Sequence, residues 1–155
     1  MNFEEMQILK TAIIYESTHH GNTKKLIQAI SDKHGVVLID VNSAAAADLE
    51  QYDVIGLASG IAFGKFYEKI TEFAKNSLPN GKKVFFIYTC GRNSKNFSQN
   101  IKGIAESRGC VSLGSYGCKG YDTYGPFKLV GGINKQNPNI DEINGAVEFF
   151  EKIMQ

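Results

Sequence analysis

The residues best suited to chemistry in this sequence form one short polar run, Ser17-Thr18-His19-His20-Gly21-Asn22-Thr23. The run supplies hydroxyls, an amide, two imidazoles and backbone N–H groups, and a helical pattern begins at its end. The start of a helix carries unpaired N–H groups and the positive end of the helix dipole, so a phosphate can bind there. The same residue types also cap many helices that bind nothing. Composition alone therefore leaves an anion site and ordinary capping open.

Two common phosphate-binding patterns do not occur in this run. It contains neither G-x-x-x-x-G-K-[ST] nor G-x-G-x-x-G. A metal site is also disfavoured, because His19 and His20 are adjacent and no Cys, Asp or Glu stands at ligand spacing. The role that suits the two imidazoles is hydrogen-bond donation to a phosphate, with a solvated loop as the alternative.

Alternating strands and helices must position this run. Apolar runs predict strands at 11–15, 36–41, 53–58, 83–88 and 110–113, and periodic segments predict helices at 23–30, 44–50, 66–74, 97–105 and 143–154. The strands are continuously apolar, as strands buried on both faces are. This pattern predicts an α/β doubly wound parallel sheet with helices on both faces, because parallel neighbours need a crossover.

Three polar loops would then share the carboxyl edge of the sheet, where ligands bind in such folds. They are residues 17–23, 58–65 and 89–97. In the third loop Cys90 adjoins Gly91 without a resolving cysteine nearby, which favours packing over a redox-active thiol. Residues 117–140 show no clear periodicity, and their aromatic content argues against disorder.

Length and composition limit the class of protein. The 155 residues, 43% of them hydrophobic, predict a single domain spanning 1–155 with a buried core. No apolar run approaches the roughly 18 residues of a membrane span. Residues 1–6 contain two acids rather than the features of a signal peptide, so we expect a cytoplasmic protein. Three cysteines without a C-x-x-C pair fit reduced thiols.

The net charge of +1 hides a basic block. Residues 79–140 contain nine Lys or Arg and two Asp or Glu, a net +7, and the segments on either side carry −3 each. The basic residues match no nucleic-acid module, so we expect no nucleic-acid partner. The block instead favours an acidic protein partner.

The first polar run also carries a family resemblance. Ile13-Ile-Tyr-Glu-Ser17 followed by Gly21-Asn22-Thr23 resembles the phosphate loop of the flavodoxin family, in which a strand ending with an aromatic residue leads into S/T-x-x-G-N-T and a helix. The similarity continues over essentially the whole chain. Ser59-Gly-Ile-Ala-Phe-Gly-Lys65 looks like the family's second flavin loop, and Tyr88-Thr-Cys-Gly-Arg92 looks like its third. The resemblance implies a flavodoxin-like five-stranded parallel sheet of order 2-1-3-4-5.

The resemblance implies one non-covalently bound FMN and an electron carrier that cycles the flavin between oxidised, semiquinone and hydroquinone states with redox proteins as partners. No catalytic residue and no metal ligand is expected. A carbonyl of the second loop, at Gly60 or Gly64, would turn towards the flavin. The cofactor-binding residues implied are Ser17, Thr18, His19, His20, Gly21, Asn22, Thr23, Ser59, Gly60, Ile61, Ala62, Phe63, Gly64, Lys65, Thr89, Cys90, Gly91, Arg92, Asn93 and Tyr124.

Aromatic side chains near these loops have two roles open to them. Phe63, Phe66 and Tyr67 could stack on the ring, but Phe66 fits the apolar stripe of the predicted helix and suits a structural role better. Tyr121 and Tyr124 could cover the flavin or pack their segment onto the body of the protein.

Three departures from the family pattern stand out. His19 and His20 lengthen the first loop by one residue, Arg92 stands where the family often has an acid, and the chain is not strongly acidic. An alternative function is therefore an NAD(P)H-dependent FMN oxidoreductase of the quinone or flavin reductase type, with the basic block attracting the nucleotide phosphates.

Overall fold

A computed structural model of the protein describes residues 9–18, 20–92, 96–123 and 129–155. The strands in this part of the chain are β1 (Thr11–Glu16), β2 (Val37–Asp40), β3 (Val54–Ala62), β4 (Lys65–Phe66), β5 (Lys83–Cys90) and β6 (Val111–Lys119). The helices are α1 (Asn22–His34), α2 (Val41–Ala44), α3 (Glu68–Asn76), α4 (Gln99–Ser107) and α5 (Ile140–Ile153), with a 3-10 turn at Leu49–Gln51.

The central sheet confirms the predicted topology. Its strands follow the order β2-β1-β3-β5-β6 with every pairing on this path parallel. Because β5 and β6 are the fourth and fifth parallel strands along the chain, this is the order 2-1-3-4-5 of a flavodoxin-like doubly wound sheet. The short strand β4 was not predicted, and it pairs antiparallel with the end of β3.

Helices pack on both faces of the sheet because the central strands bury alternate residues on opposite sides. One core cluster contains Ile14, Leu57 and Phe86 with side chains of α3 and α4. The other contains Ile13, Ala58 and Phe85 with side chains of α1 and α5. These strand residues are at most 1% exposed, which explains the continuous apolar runs in the sequence.

All five predicted helices begin or end at other residues in the structure, and in two of them the difference changes the assignment of a segment. The helix expected over 44–50 is replaced by α2 and the 3-10 turn, because the Asp40 carboxylate accepts the Asn42 N–H and starts the helix earlier. The helix expected from Phe66 begins at Glu68. Phe66 itself lies in β4, where it is 3% exposed and packs in the core, so its predicted structural role is confirmed on a different element.

The fifth parallel strand is longer than the sequence predicts. The strand expected at 110–113 continues to Lys119 as β6, since β5 pairs with it as far as Cys90 opposite Lys119. Among the described residues no helix is both long and apolar enough to cross a membrane.

Candidate functional site

The first polar loop lies at the carboxyl end of β1 and leads directly into α1. His20 and Gly21 both have positive φ, 57° and 64°, and Gly21 is the residue before the helix. Glycine adopts this conformation without steric cost, which explains its place in the motif. Ser17 Oγ accepts the Lys24 N–H at 3.0 Å, so the loop is closed across the first turn of the helix.

The helix start is open on the side of Gly21. A Cβ built on Gly21 would meet no atom within 4 Å. Among the described residues no acceptor is found for the backbone N–H groups of Asn22 and Thr23. Unpaired N–H groups in a turn at the positive end of a helix form a concavity suited to an anion. Ser17 contacts the same helix start through Lys24, Thr18 and His20 belong to the loop that leads into it, and His19 falls outside the described residues.

A buried hydrogen bond joins the first loop to the strand that leads into the third. Thr23 Oγ1 and Thr89 Oγ1 are 2.9 Å apart, and the two residues are 1% and 4% exposed. Thr89 lies in β5, which also contains Cys90, so the prediction that the third loop starts at residue 89 is wrong by two residues. The cause is continued pairing of β5 with β6 up to Cys90. Gly91 and Arg92 follow the strand, and Asn93 falls outside the described residues.

The second predicted loop is a β-hairpin in the structure. Ser59, Gly60, Ile61 and Ala62 continue β3, because Gly60 pairs with Thr89 on one side and Ile61 and Ala62 pair with β4 on the other. Only Phe63 and Gly64 form the turn, and Lys65 begins β4. The prediction of a loop over residues 58–65 was therefore wrong, because Ala58 also lies in β3.

Two members of the hairpin have different surroundings. Ser59 is fully buried; its hydroxyl donates to the Gly60 carbonyl at 2.7 Å and accepts the Tyr67 N–H at 3.1 Å. Phe63 is fully exposed at the tip with a φ of 54°. Ser59 thus fixes the base of the hairpin, while Phe63 is presented to the surroundings.

Cys90 is a packed thiol. It is 6% exposed, and its Sγ lies 3.5 Å from the Cys118 carbonyl oxygen. Burial raises the pKa of the Cys90 thiol from 9.0 to about 11. A thiolate at this position is disfavoured at neutral pH, which supports packing over redox chemistry of the sulfur.

A segment after β6 lies across the first loop. We call its described residues, 120–123 and 129–134, the arm. The Asn22 side chain holds the Tyr121 backbone twice: Asn22 Nδ2 donates to the Tyr121 carbonyl at 2.8 Å, and Asn22 Oδ1 accepts the Tyr121 N–H at 3.1 Å. Asn22 is 5% exposed in this arrangement. Tyr121 therefore packs its segment onto the body of the protein, and Tyr124 falls outside the described residues.

The arm contacts the site at two more places. His20 Nε2 lies 3.0 Å from Thr123 Oγ1, and the His20 ring centre is 3.9 Å from that of Tyr121. Asn134 Nδ2 donates to the Gly91 carbonyl at 2.8 Å. The Asp122 carboxylate lies so close to Gly91 that a Cβ on this glycine would collide with it. The arm thus touches both the first loop and the start of the third loop, over the carboxyl ends of β3 and β5.

The arm leaves little room in that space. The cleft between Gly60, Thr89, Gly91 and the arm has a volume of about 20 Å³. A second space of about 590 Å³ is bordered by Thr18, by Phe63 at the tip of the hairpin and by α3. The first loop therefore adjoins one closed cleft and one open groove.

Sequence reasoning missed several residues at this site. Glu16 lines the open groove, and its Oε2 is buried without a hydrogen-bond partner among the described residues. Asp122 and Asn134 reach Gly91 from more than 30 residues away. No local pattern signals these residues, although the lack of periodicity over 117–140 indicated an unusual segment.

The basic block is divided between two edges of the molecule. Exposed Lys83 begins β5, and Arg92 follows its end, so about 23 Å of strand separates the two positions. Exposed cations among the described residues at the carboxyl edge include Arg92, Lys119 and Lys135 of the block, together with Lys65, which lies outside it. Only part of the +7 block can therefore attract a ligand or partner to the site.

Within the described ranges no group of three or more His, Cys, Asp or Glu residues is placed to hold a metal ion.

Comparison with known proteins identifies the family. A family model for a flavodoxin domain matches residues 12–109, which include β1, the first loop, the hairpin and β5. The chain belongs to the flavodoxin-domain family. An uncharacterized protein of Methanocaldococcus jannaschii is 38% identical to this flavodoxin-domain chain over 149 residues, covering 95% of this chain and 99% of that protein.

Solved structures share the fold of this flavodoxin-domain protein. A flavodoxin from the domain Archaea superimposes with a TM-score of 0.66 at 17% identity, covering 95% of this chain and 100% of the other. A flavoprotein from Lactobacillus acidophilus in complex with FMN superimposes with a TM-score of 0.55 at 19% identity, covering 72% and 93%. At these identities the likeness establishes the fold.

Proposed function

We propose that this flavodoxin-domain protein binds one FMN non-covalently at the carboxyl edge of its sheet and carries electrons between redox proteins. The observation that carries this proposal is the open helix start at Gly21, where the Asn22 and Thr23 N–H groups have no acceptor among the described residues. A terminal phosphate supplies the missing acceptors and the negative charge that the helix end favours.

The donor set fits a phosphate monoester. Ser17 and Thr18 supply hydroxyls. His20 supplies an imidazole and Asn22 an amide, whose Nε2 and Nδ2 atoms contact Thr123 and the Tyr121 carbonyl in this structure. Each hydrogen bond to the charged phosphate contributes roughly 1.5–3 kcal/mol. Thr23 acts less directly, because its hydroxyl is already bonded to Thr89 and holds the helix start against β5.

A buried acceptor beside the loop suits a polyol chain. Glu16 Oε2 faces no donor among the described residues and lines the groove that begins at Thr18. Ribityl hydroxyl groups are donors of the kind this oxygen needs, since a buried unpaired acceptor is costly. Phe63, at the tip of the hairpin, is free to turn onto a planar ring.

Of the two glycines considered for a movable peptide, Gly64 is the better suited. Gly60 is paired with Thr89, and its carbonyl accepts the Ser59 hydroxyl. Gly64 lies in the hairpin turn with a φ of 76°, and a Cβ there would meet nothing within 4 Å. The Phe63–Gly64 turn can therefore rearrange without breaking the sheet.

Bound FMN would supply the one-electron and two-electron chemistry, and the protein would bind, orient and shield it.

We further propose that residues 1–155 act as one domain in the cytoplasm, with acidic redox proteins as partners. The exposed Lys65, Arg92, Lys119 and Lys135 support an acidic partner, because complementary charge accelerates encounter. The three cysteines are buried and form no disulfide, which supports a reducing compartment.

An absorption spectrum of the purified protein and a fluorescence titration with FMN, riboflavin and FAD test the proposal. We expect a yellow protein that binds FMN far more tightly than riboflavin, by the free energy of several phosphate hydrogen bonds. Equal affinity for riboflavin would remove the phosphate-site argument. Anaerobic addition of NADH or NADPH then separates a carrier from an NAD(P)H-dependent FMN oxidoreductase, which bleaches its flavin without a partner protein.

A further inference from the structure

We propose that a second copy of this chain docks on the open groove beside the hairpin, with Phe63 of each copy inserted into the groove of the other. Phe63 lies at the tip of the hairpin, and its side chain is fully exposed, so its own chain does not bury the ring. The groove begins at the same tip, because Ala62, Phe63 and Lys65 are among its lining residues. The inserted ring and the groove that receives it therefore belong to one patch, which is the arrangement that a two-fold dimer requires.

The backbone at the hairpin tip is unfavourable for a phenylalanine. Ala62 pairs with Lys65, so Phe63 and Gly64 form the turn, and their φ values are both positive, 54° and 76°. Two-residue turns of this kind favour Asn-Gly, and a bulky side chain at positive φ is costly. Residues in such conformations are concentrated at functional sites. The exposed ring is therefore better explained as a binding element than as a packing residue.

The hairpin presents this ring from a fixed base. The Ser59 hydroxyl donates to the Gly60 carbonyl at 2.7 Å and accepts the Tyr67 N–H at 3.1 Å. On the other strand of the hairpin, Phe66 is 3% exposed and packs in the core. Since the base is already ordered, burying the tip against another molecule costs little conformational entropy.

The groove has the size and the lining to receive an aromatic ring. Its volume is about 590 Å³, and ligand pockets are typically on the order of 300–1,000 Å³. Ala62, Phe66 and Tyr67 contribute apolar surface, and the stems of the lining lysines add methylene groups. Two inserted rings and the surface around them make an interface at the small end of the range for specific contacts. We therefore expect a reversible dimer.

The charges around the groove favour a second copy over a uniformly acidic or basic partner. The described lining residues include three lysines and three glutamates, whose formal charges cancel: Lys65, Lys69, Lys75, Glu16, Glu68 and Glu72. Two such surfaces can bring unlike charges together across a two-fold axis. An acidic partner would meet the glutamates of the groove, and opposing like charges across an interface is unfavourable.

The dimer is proposed for the protein without bound flavin. A Phe63 ring that lies in the groove of another copy cannot stack on a flavin in its own copy. The oligomeric state of the flavin-free chain is measured independently of FMN binding, so loss of the dimer would leave the proposed FMN site in place.

Sedimentation equilibrium of the flavin-free full chain over a wide range of protein concentration tests the interface. We expect a reversible monomer–dimer equilibrium in the wild-type protein. Phe63→Asn should raise the dissociation constant of the dimer at least about 100-fold, because each dimer loses two rings and truncating a hot-spot ring costs more than tenfold. Asparagine suits the turn, so this variant should stay folded, which circular dichroism checks. Val111→Thr, at an exposed valine that begins β6, is the control and should match the wild type.

Charge reversal around the groove tests whether the occupant is a second copy. Glu68→Lys with Glu72→Lys makes the groove basic, and Lys65→Glu with Lys75→Glu makes it acidic; all four residues are exposed. Each double variant alone should stay monomeric at concentrations at which the wild type dimerises, because like charges then face each other. An equimolar mixture of the two should form dimers.

A wild-type chain that stays monomeric at every concentration would overturn the proposal. A dimer that persists in Phe63→Asn would also overturn it, and so would a mixture of the two charge variants that associates no better than either variant alone.

Discussion

Thr23 and Thr89 share a hydrogen bond of 2.9 Å between two buried hydroxyl oxygens, which fixes the first turn of α1 against the end of β5. The bond joins residues 66 positions apart in the sequence. It sets the position of the helix start, and therefore of the proposed phosphate site, relative to the strand that leads into the third loop.

Thr23→Val should lower the free energy of unfolding by roughly 1–3 kcal/mol, because it leaves the buried Thr89 hydroxyl without its partner. Thr89→Val should cost a similar amount, and the double variant should cost less than the sum. Urea unfolding measures all three. The control is Thr11→Val: Thr11 Oγ1 is buried without a partner among the described residues, so this change should be neutral or stabilising. Strict additivity at Thr23 and Thr89 would contradict the coupling.

Phe63→Asn should stabilise the protein and weaken FMN binding. The φ of 54° is unfavourable for phenylalanine, whereas asparagine tolerates it, so a gain of up to about 1 kcal/mol is expected from thermal unfolding. Loss of the exposed ring removes the proposed stacking partner. Val111→Thr, another exposed apolar position at the far end of β6, is the control and should leave binding unchanged. If the FMN affinity of Phe63→Asn is unaltered, the Phe63 side chain does not contact the flavin.

Alkaline pH should destabilise the protein through its buried thiols. Burial raises the pKa of Cys90 to about 11 and that of Cys118 to about 12, from 9.0. Well below pH 9 both thiols are neutral in the folded and unfolded chain. As the pH rises through 9, the unfolded chain releases these protons before the folded chain does. The free energy of unfolding should therefore fall from about pH 9 to pH 12. Urea unfolding should show a shallower fall for Cys118→Ala, and identical slopes would contradict the assignment.

The sequence predicts those elements of the fold that depend on local apolar patterns. Continuous runs such as 83–88 identify buried parallel strands, and the motif at Gly21 identifies the helix start. The hairpin was not predicted because its Ser and Gly residues are typical of loops, and because Phe63-Gly64 lacks the usual Asn-Gly turn signal. The contact between the arm and the first loop was not predicted because Asn22 and Tyr121 are 99 residues apart. A contact over that distance produces no periodic pattern in the sequence.

Electron exchange should be sensitive to charge at the carboxyl edge. The reduced FMN-loaded protein should react with anionic hexacyanoferrate(III) at a rate that falls as salt rises, because exposed charges are screened over about 8–10 Å. The double variant Lys65→Gln with Lys119→Gln should weaken this dependence. Lys83→Gln, at the opposite end of β5, should not. A salt dependence unchanged in the double variant would argue against an acidic partner at this edge.

Arg92 and Asp122 should shift the flavin's second reduction potential in opposite directions. Arg92 follows Gly91 in the chain, and the Asp122 carboxylate packs against that same glycine, so we expect a cation and an anion near the ring end of the proposed site. The second electron increases the negative charge on the flavin. Arg92→Gln should therefore lower this potential, and Asp122→Asn should raise it.

Two unit charges 4 Å apart interact by about 4 kcal/mol at an effective dielectric of 20, and exposure and salt reduce this to a fraction. Shifts on the order of tens of millivolts are expected, since a tenfold change for one electron is about 59 mV. Redox titration of the two variants measures them, with Asp32→Asn on the exposed side of α1 as the control. Shifts of the same sign in both variants would mean that the substitutions act through the arm's position, because direct charge effects at Arg92 and Asp122 must oppose each other.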